Sequence, residues 1–378
     1  MVQRKLRKPF EDMNKGIGRG IGIGSCRFKI FSKILIAIFI FTFTSTFTLS
    51  SFAQENKFRP SGPFNVRNMM PMYMFYMSMN PDSAQTLKKG KTSIEGGYHV
   101  ANTIIKQHDP WPGWKSYDEL TYDILIDAEV SRFYADIKYG IMDNLEVGIN
   151  VPYLIYSGGY LDSFIKNFED AFSAIKTPNA RESRPKNKYD VKVVHFGQTI
   201  LEDTSKPDGL GEITLQAKYK IADEGKYMPH ASLRAAIKLP TATNNASNML
   251  GSKKIDYGFG VLADKRLFDR LLMYLNFNAI FIGKPEALEG LKVEDYMLTG
   301  LLGFEFFFTN RTSLIFQALG NTTVYEKGVP CMERDGVVIS VGFNHNFNDK
   351  ISWHIAMDEN TNTAAPDFGL FTNLKVKL

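Results

Sequence analysis

The chain has 378 residues, of which 44% are hydrophobic, 22% are charged and 13% are aromatic. This composition excludes a disordered or collagen-like chain, and two cysteines exclude a disulfide scaffold and a four-ligand zinc site. The net charge of +5 does not indicate a nucleic-acid partner, because nine of the 45 basic residues and only two of the 40 acidic ones lie within the first 53 positions.

Residues 1–53 are predicted to form a secretory leader. Basic residues precede an apolar run at 34–50, and the tripeptide Ser-Phe-Ala that follows has the small first and third residues of a cleavage site. Cleavage is therefore expected after Ala53, with export of the mature chain. The strongly apolar part of the run is shorter than the about 20 residues of a membrane-spanning helix, which disfavours the alternative of an uncleaved anchor. Translation starts at either Met1 or Met13.

The next segment, 54–91, is predicted to be a plug or a first strand. Within it, residues 69–79 hold six of the fifteen methionines of the chain. Methionine fills irregular apolar space, which favours packing inside a larger structure. Two Met-x-Met pairs leave copper(I) handling as an alternative, since thioethers favour that ion. A soft apolar segment also favours a lipophilic solute over a sugar.

From residue 92 onward, apolar and polar residues alternate with a period of two, the pattern of strands with one apolar and one polar face. Between 213 and 221, every odd-numbered residue is apolar and every even-numbered residue is polar. Strands are predicted at 92–105, 120–141, 144–157, 190–201, 211–222, 228–240, 254–266, 271–283, 293–308, 311–324, 335–347, 350–359 and 367–378. The alternation changes phase near Ser131 and Arg132, which predicts a bulge or a tight turn there.

Strand length and aromatic positions distinguish a membrane barrel from a soluble sandwich. Strands of about 10–12 residues match a tilted bilayer crossing, whereas sandwich strands run to about 5–6. Aromatic residues cluster toward apolar strand ends, as interfacial girdles require: Tyr139, Tyr153, Tyr156, Tyr219, Tyr257, Phe281, Phe308 and Trp353. The prediction is an all-β fold, a closed antiparallel transmembrane β-barrel of about 12 strands (range 10–14), over 92–378. Because thirteen segments make an odd count, either one is split wrongly or 69–79 adds a fourteenth strand.

One insertion interrupts the strand pattern. At 160–178, apolar residues recur at steps of three and four, which predicts an amphipathic helix. The plainer interpretation is a helix that packs on the rim of the barrel. A lid over the pore, or a helix that lies in the outer leaflet, is the alternative.

Five stretches then occur in a characteristic order. They are NMMP at 68–71, FYADIKYGIMDNLEVGINVPYLIYSGGYLDSFI at 133–165, GLGEITL at 209–215, LRAAIKLPTAT at 233–243 and APDF at 365–368. In this order they resemble the Gram-negative outer-membrane proteins of domain-of-unknown-function family 3187. The resemblance spans nearly all of the chain after the leader. It implies an outer-membrane barrel and no particular activity.

Enzymatic chemistry has one candidate pair. His230 and Ser232 share a strand face, which resembles the base and nucleophile of the outer-membrane phospholipase. A nucleophilic site also needs a group that orients the histidine and an oxyanion hole. The sequence places neither, so no catalytic residue is predicted, the chain is expected not to be an enzyme, and a lipid hydrolase is kept as an alternative. The six histidines lack metal-ligand spacing, so neither a metal site nor a cofactor is expected.

The predicted functional surface is the lumen. Its expected lining includes six charged residues on inward strand faces: Lys218, Lys220, Arg234, Lys238, Glu212 and Glu305. The four cations lie on two adjacent strands and would form a basic stripe with Glu212 as its counter-charge, which raises the local concentration of anions. The alternative is that the cations neutralise Asp136, Glu146 and Glu305 across the lumen.

The leading functional hypothesis is a passive outer-membrane pore or uptake channel for a small, lipophilic solute. The alternatives are a structural or surface-interaction barrel with a filled lumen, and the membrane-embedded hydrolase. The expected partners are outer-membrane lipid and, through the C-terminal strand at 367–378, the barrel-assembly machinery. No nucleic-acid partner is expected.

Overall fold

The computed structural model describes residues 58–106, 122–163, 187–243, 249–326, 329 and 331–378. Within these ranges the chain forms one sheet of fifteen strands. The strands are β1 (Thr92–Lys106), β2 (Tyr122–Met142), β3 (Leu145–Ser157), β4 (Asp190–His195), β5 (Gln198–Asp203), β6 (Asp208–Leu210), β7 (Thr214–Ala222), β8 (His230–Lys238), β9 (Asp256–Phe268), β10 (Leu271–Phe281), β11 (Tyr296–Phe307), β12 (Thr312–Asn321), β13 (Gly336–Asn346), β14 (Ile351–Asn360) and β15 (Phe368–Lys377).

Twelve of these strands close into an antiparallel barrel, which confirms the predicted architecture and strand number. The order around the ring is β1, β2, β3, β7 and then β8 to β15 in sequence. The ring closes between the first and the last strand, where Ser93 lies opposite Lys377 and Asn102 lies opposite Phe368. Closure leaves the twelve strands with paired edges, the condition for backbone polar groups to cross a bilayer.

Three further strands lie outside the ring. β4 and β5 form a hairpin that pairs through β4 with residues 122–127 of β2, and β6 pairs with residues 153–155 of β3. The single strand predicted at 190–201 is therefore wrong. Phe196 and Gly197 both have positive φ, 47° and 75°, and form the tight turn that divides this stretch into β4 and β5.

The bulge predicted near Ser131 and Arg132 is also wrong. β2 continues through both residues, which lie opposite Ile155 and Leu154 of β3 without a shift in register. The phase change in the sequence has another cause, because residues 126–132 are buried on both faces of β2. Where both faces are covered, polarity no longer marks inside and outside.

The two ends of the barrel differ. At one, the short-turn end, turns such as 143–144 and 269–270 join consecutive strands, and both the start of β1 and the end of β15 lie there. At the other, the long-loop end, the connections include 239–255 and the insertion that contains β4 to β6. This asymmetry between rims is typical of outer-membrane barrels.

Residues 58–91, the described residues before β1, do not form a strand. They include a 3-10 helix at Pro71–Tyr73, so 69–79 does not supply a fourteenth strand. Most of the amphipathic helix predicted at 160–178 lies outside the described residues, which end at 163 and resume at 187. Within the described ranges, no helix is long and apolar enough to cross a membrane.

The outer face of the barrel is apolar. Large hydrophobic side chains stay exposed on outward strand positions, as expected where a surface meets lipid; they include Phe133, Leu215, Leu233, Phe259, Phe277, Phe316, Phe343 and Ile355. Seven of the eight aromatic residues predicted to form girdles are exposed in this way. The assignment of the eighth, Tyr156, is wrong: its side chain is buried, and its hydroxyl donates to the carbonyl oxygen of Met249 (3.0 Å).

Candidate functional site in the barrel interior

The inward face of the barrel changes character along its height. On β2, the buried side chains of Ile126 and Val130 lie toward the long-loop end, whereas those of Asp136 and Lys138 lie toward the short-turn end. The largest hydrophobic cluster occupies the long-loop half and includes the six methionines of 69–79. The interior therefore has an apolar half near the long loops. The half near the short turns is mixed, because it is polar on β2 but holds a second hydrophobic cluster, with Leu272, Phe307 and Ile315, on β10 to β12.

Residues 58–91, called the N-terminal segment below, lie inside the barrel. Near the start of the segment, the carbonyl oxygen of Arg59 accepts a hydrogen bond from Asn346 Nδ2 at the short-turn end (3.1 Å). Farther along, the carbonyl oxygen of Met72 accepts one from the hydroxyl of Tyr325 at the long-loop end (2.8 Å). The first part of the segment thus spans the height of the lumen.

The return limb, residues 77–91, leads back to the end at which the segment began. The backbone N–H of Met77 donates to Asp256 Oδ2 near the long-loop end of β9 (2.7 Å). The backbone N–H of Lys89 donates to Asp143 Oδ1 in the turn between β2 and β3 (2.9 Å). The segment is therefore a hairpin that enters and leaves the barrel by the short-turn end.

Asp82 is the main ionic contact of the return limb. Its Oδ2 lies 2.7 Å from Lys138 Nζ and 2.9 Å from Lys218 Nζ, and Lys218 also pairs with Glu146 Oε1 (2.9 Å). Asn276 Oδ1 accepts the backbone N–H of Asp82 (2.9 Å). Burial alone would raise the pKa of Asp82, but the two ammonium groups outweigh it and hold that pKa well below its usual value. The carboxylate stays ionised and joins β2 to β7.

Lys238 binds the segment near its apex, the turn at residues 72–76 that joins the two limbs. Its Nζ donates to the carbonyl oxygen of Phe75 (2.7 Å) and forms ion pairs with Glu212 and with Asp256 (3.0 Å to Oδ2). All three charged side chains are buried. One ammonium between two carboxylates satisfies charges that would otherwise be costly to bury.

Arg234 holds the return limb by its backbone. Its Nη1 donates to the carbonyl oxygen of Asn80 (2.6 Å) and its Nη2 to that of Met79 (2.8 Å). Its Nε donates to Asn278 Oδ1 on β10 (2.9 Å). The planar guanidinium uses its fork geometry to fix two consecutive peptide groups against β8.

The side chain of Arg67 holds the apex of the segment together through hydrogen bonds. Its Nη2 donates to the carbonyl oxygens of Tyr73 (2.8 Å) and Tyr76 (2.9 Å). Burial lowers the pKa of Arg67 to about 9, and the positive charge of Arg132 contributes to this. These bonds fix the loop of chain that carries the methionines.

Glu305, on β11, anchors the first limb of the segment, residues 58–76. It accepts hydrogen bonds from Ser313 Oγ (2.6 Å), from the hydroxyl of Tyr274 and from Ser61 Oγ (3.3 Å). Ser61 belongs to the N-terminal segment, so this buried carboxylate joins the segment to β10, β11 and β12.

The predicted lumen residues take up different roles. Arg234, Lys238, Lys218, Glu212 and Glu305 are buried and make the contacts described above. Lys220 lies at the short-turn end instead, where it pairs with the exposed Asp223 (2.6 Å). The cations do not present a basic stripe to an open bore, because carboxylates or carbonyl oxygens bind each of them.

Of the three carboxylates expected to neutralise the cations across the lumen, one pairs with a cation, and it does so between adjacent strands of the wall. Glu146 pairs with Lys218, as expected. Asp136 accepts a hydrogen bond from Asn150 Nδ2 (3.2 Å), and Glu305 is bound by the hydroxyl groups. Neutral donors therefore satisfy these two carboxylates.

Sequence reasoning missed several of the residues that form the contacts of the N-terminal segment. Asp256 and Asp264 lie at inward, even-numbered positions of β9, so the alternation contained a signal for both. Asp264 Oδ2 accepts hydrogen bonds from Ser83 Oγ (2.5 Å) and from the backbone N–H of Ala84 (2.8 Å). Asp82 lies in a segment without periodicity, where no local pattern marks an ionic contact.

The candidate hydrolase pair makes other contacts. The buried hydroxyl of Ser232 donates to the carbonyl oxygen of Ala84. Nδ1 of His230 accepts the backbone N–H of Glu224 (3.1 Å). Neither bond joins the two residues, so this arrangement does not activate the serine as a nucleophile.

The described part of the interior includes a small cavity. A cavity of about 40 Å³ lies between the N-terminal segment and β2, β3 and β7, next to Arg67, Arg132 and Glu212. This volume accommodates about one water molecule. Among the described residues, no group of three or more His, Cys, Asp or Glu side chains is arranged to hold a metal ion.

Solved structures with this fold include outer-membrane channels. The COG4313 outer-membrane channel from Pseudomonas putida F1 is similar, with a TM-score of 0.53 and 14% identity over 80% of this chain and 100% of that one. The Pseudomonas putida toluene transporter TodX is similar at 10% identity over 84% of this chain and 99% of that one, but its TM-score of 0.36 is too low to inform on function. No curated protein matches the sequence. The profile of the family described as "Protein of unknown function (DUF3187)" matches residues 39–378, and the chain therefore belongs to that family.

Proposed function

We propose that this protein is an outer-membrane channel for a small solute, and that the N-terminal segment is a plug that closes its lumen. The observation that carries the proposal is the path of the segment, a hairpin that enters and leaves the barrel by one end. Ion pairs and hydrogen bonds hold it in place. Such a hairpin shifts without breaking the backbone ladders of the barrel, so the lumen opens while the wall stays intact.

The apolar half of the lumen supports a solute with a lipophilic body. Methionine and aromatic side chains of residues 69–79 pack there with Tyr325, Met332 and Ile280. Methionine is flexible and polarisable, which lets such a surface adapt to apolar molecules of different shape. The channel is passive, because nothing in the proposal couples transport to an energy source.

A structural or surface-interaction barrel with a permanently filled lumen is the second candidate. It is favoured by the small size of the cavity beside the segment, about 40 Å³. The two candidates differ in one physical respect, namely whether the N-terminal segment moves. Conductance measures this directly.

The experiment compares three forms of the mature protein in planar bilayers: the wild type, Asp82→Asn and Asp223→Asn. Asp82→Asn removes the carboxylate shared by Lys138 and Lys218, so the open probability is expected to rise by roughly tenfold or more. Asp223 is the matched control. Its carboxylate is exposed and pairs with Lys220 outside the lumen, so Asp223→Asn is expected to conduct like the wild type.

Two outcomes would overturn the proposal. If all three forms fold as barrels and none conducts, the filled barrel is the better description. If glucose but not naphthalene reduces the single-channel conductance of Asp82→Asn, the lipophilic solute is wrong while the channel stands.

The proposal includes the route to the membrane. Residues 1–53 act as a leader that is removed after Ala53, β15 is recognised by the barrel-assembly machinery, and the apolar outer face contacts outer-membrane lipid. Intact mass of the chain isolated from outer membranes tests cleavage. A mature chain that begins at Gln54 is expected, and retention of the leader would contradict it.

No catalytic step is assigned. Lipid hydrolysis by the purified barrel that disappears in Ser232→Ala would overturn this assignment. The contacts of Ser232 and His230 support the expectation that phospholipid stays intact.

A further inference from the structure

The inner wall formed by β13, β14, β15 and β1 carries buried polar atoms that lack hydrogen-bond partners among the described residues. We call this set of inward-facing side chains the polar lane. Its members share burial and at least one side-chain nitrogen or oxygen without a partner: Thr103, His99, Ser340, Asp358, His354, Asn344 and Asn373.

The centre of the polar lane is the pair formed by His99 and Asp358. His99 Nε2 lies 2.7 Å from Asp358 Oδ2, although the two residues are on β1 and β14, with β15 between them. The contact is possible because Gly369 of β15 lies opposite Asp358 and has no side chain. A Cβ atom at this position would lie 3.3 Å from His99 Nε2.

Neighbouring residues extend the lane along the wall. Ser340 of β13 lies directly opposite Asp358 of β14, and Asn344 lies opposite His354. Thr103 follows His99 by four residues on β1, toward the long-loop end. Strand geometry therefore places the members in a continuous band along the wall, which runs from the short-turn end toward the long-loop end.

Toward the short-turn end, the N-terminal segment bonds to this wall through Asn65, whose Nδ2 donates to Glu95 Oε1 of β1 (3.1 Å), but beside the polar lane it presents an apolar side chain. The ring of Phe64 packs edge-on against His354, with 5.4 Å between centroids, and lies 5.8 Å from the ring of Phe371. An aromatic contact of this kind separates without leaving a donor or acceptor unpaired. On the other side of the lumen, Arg234 and Lys238 hold the segment through charged hydrogen bonds.

We propose that the polar lane is the passage along which cationic or hydrogen-bond-donating groups move past the N-terminal segment, with Asp358 as their binding site. This inference rests on the proposed channel function and names the polar part of its solute. The lane carries a carboxylate and two amide oxygens, which only accept, and two hydroxyls and two imidazoles, which both accept and donate. The amide oxygens and Asp358 Oδ1, the carboxylate oxygen that does not face His99, favour a group that supplies N–H or O–H bonds, and the carboxylate favours positive charge.

The test is cysteine labelling of the full mature chain in liposomes. Cys331→Ser removes the buried native thiol of the mature chain, and Ser340→Cys then places one thiol in the lane. Ser232→Cys is the matched control, since Ser232 is equally buried but lies on β8 and bonds to the N-terminal segment. The probes are the cation methanethiosulfonate ethylammonium and its sulfonate anion, with labelling followed by mass spectrometry and conductance.

The cation is expected to label Ser340→Cys roughly tenfold or more faster than the anion. Addition of Asp358→Asn is expected to remove that preference, and the Ser232→Cys control is expected to stay unlabelled. Thr103→Cys provides a second lane position if Ser340→Cys does not fold. Labelling of the lane cysteine is also expected to reduce conductance.

Two results separate the lane from the channel. If Ser340→Cys and Thr103→Cys are as protected as Ser232→Cys while the barrel conducts, the lane is overturned and the channel stands. If the lane labels with the expected charge preference but no form conducts, the cation-selective access stands and the channel function is overturned.

Discussion

Two walls of the same lumen contact the N-terminal segment through different kinds of interaction. On the wall of β7 to β10, Lys218, Arg234 and Lys238 bind it through short, charged contacts to Asp82 and to its carbonyl oxygens. On the wall of β13 to β15 and β1, the segment makes fewer polar contacts: Asn346 Nδ2 donates to the carbonyl oxygen of Arg59 (3.1 Å), and Asn65 Nδ2 donates to Glu95 Oε1 (3.1 Å). Between these contacts Phe64 packs against His354, and the polar lane keeps unpartnered atoms. Because the segment is bound more strongly on the wall of β7 to β10, we expect it to separate first from the wall of β13 to β15 and β1.

The largest expected effect comes from the strongly bound wall. Lys238→Met leaves Glu212 and Asp256 buried without their shared ammonium, and the loss of one partner from a buried ion pair costs about 3–5 kcal/mol. The free energy of unfolding, measured by denaturant titration in detergent micelles, is expected to fall by that amount.

Lys254→Met is the control for that substitution. Lys254 pairs with Glu286 at 2.9 Å, but both side chains are largely exposed, so a change within about 0.5 kcal/mol is expected. Equal losses of unfolding free energy in Lys238→Met and Lys254→Met would show that burial does not determine how much these ion pairs stabilise the fold.

The next effect depends on pH. The pKa of Asp82 is lower in the folded chain than in the unfolded one, so the unfolded state takes up the proton first and stability falls as pH falls. At pH 7 this carboxylate contributes roughly 2–3 kcal/mol. The difference in unfolding free energy between wild type and Asp82→Asn is expected to be constant from about pH 5 to pH 8 and to shrink below about pH 4. A constant difference down to pH 2 would contradict the assignment of the ion pairs.

The smallest effect compares two serines on neighbouring strands. Ser313 donates to Glu305 (2.6 Å) and accepts from Asn344 Nδ2 (3.2 Å), so Ser313→Ala is expected to cost about 1–2 kcal/mol. The Ser340 hydroxyl has no partner among the described residues, so Ser340→Ala is expected to be neutral within about 0.5 kcal/mol. Thermal unfolding of the two variants measures the contrast. A larger loss for Ser340→Ala would mean that its hydroxyl is bonded and that the lane is misassigned.

The strands were predictable because alternation with a period of two is a local property. Twelve of the thirteen predicted segments became barrel strands, and 190–201 misled because its turn, Phe196-Gly197, lacks the Asn-Gly or Asp-Gly signal of a tight hairpin. The phase change at Ser131 misled for a related reason, since neighbouring chain covers β2 on both faces there.

The interior was predictable only in part. Glu146 and Lys218 face inward by their alternation, and the pairing of β3 with β7 then places them opposite each other. The contact between Asp82 and Lys218 spans 136 positions and depends on the path of a segment without periodicity. No local pattern encodes such a contact, because it follows from how the segment folds back inside a ring that other residues define.

The shared exit of the two limbs has a mechanical consequence. Tension applied to residue 58 from the short-turn end would load the contacts of the hairpin one after another, beginning with Arg59 and Ser61 and then passing to Phe64. When the pulling force acts on one contact at a time, each contact breaks separately at a low force. When the force is shared by all contacts at once, they must break together at a higher force. A weak and sustained pull from that side would therefore extract the segment, while a push from the long-loop end would act on the apex and compress both limbs at once.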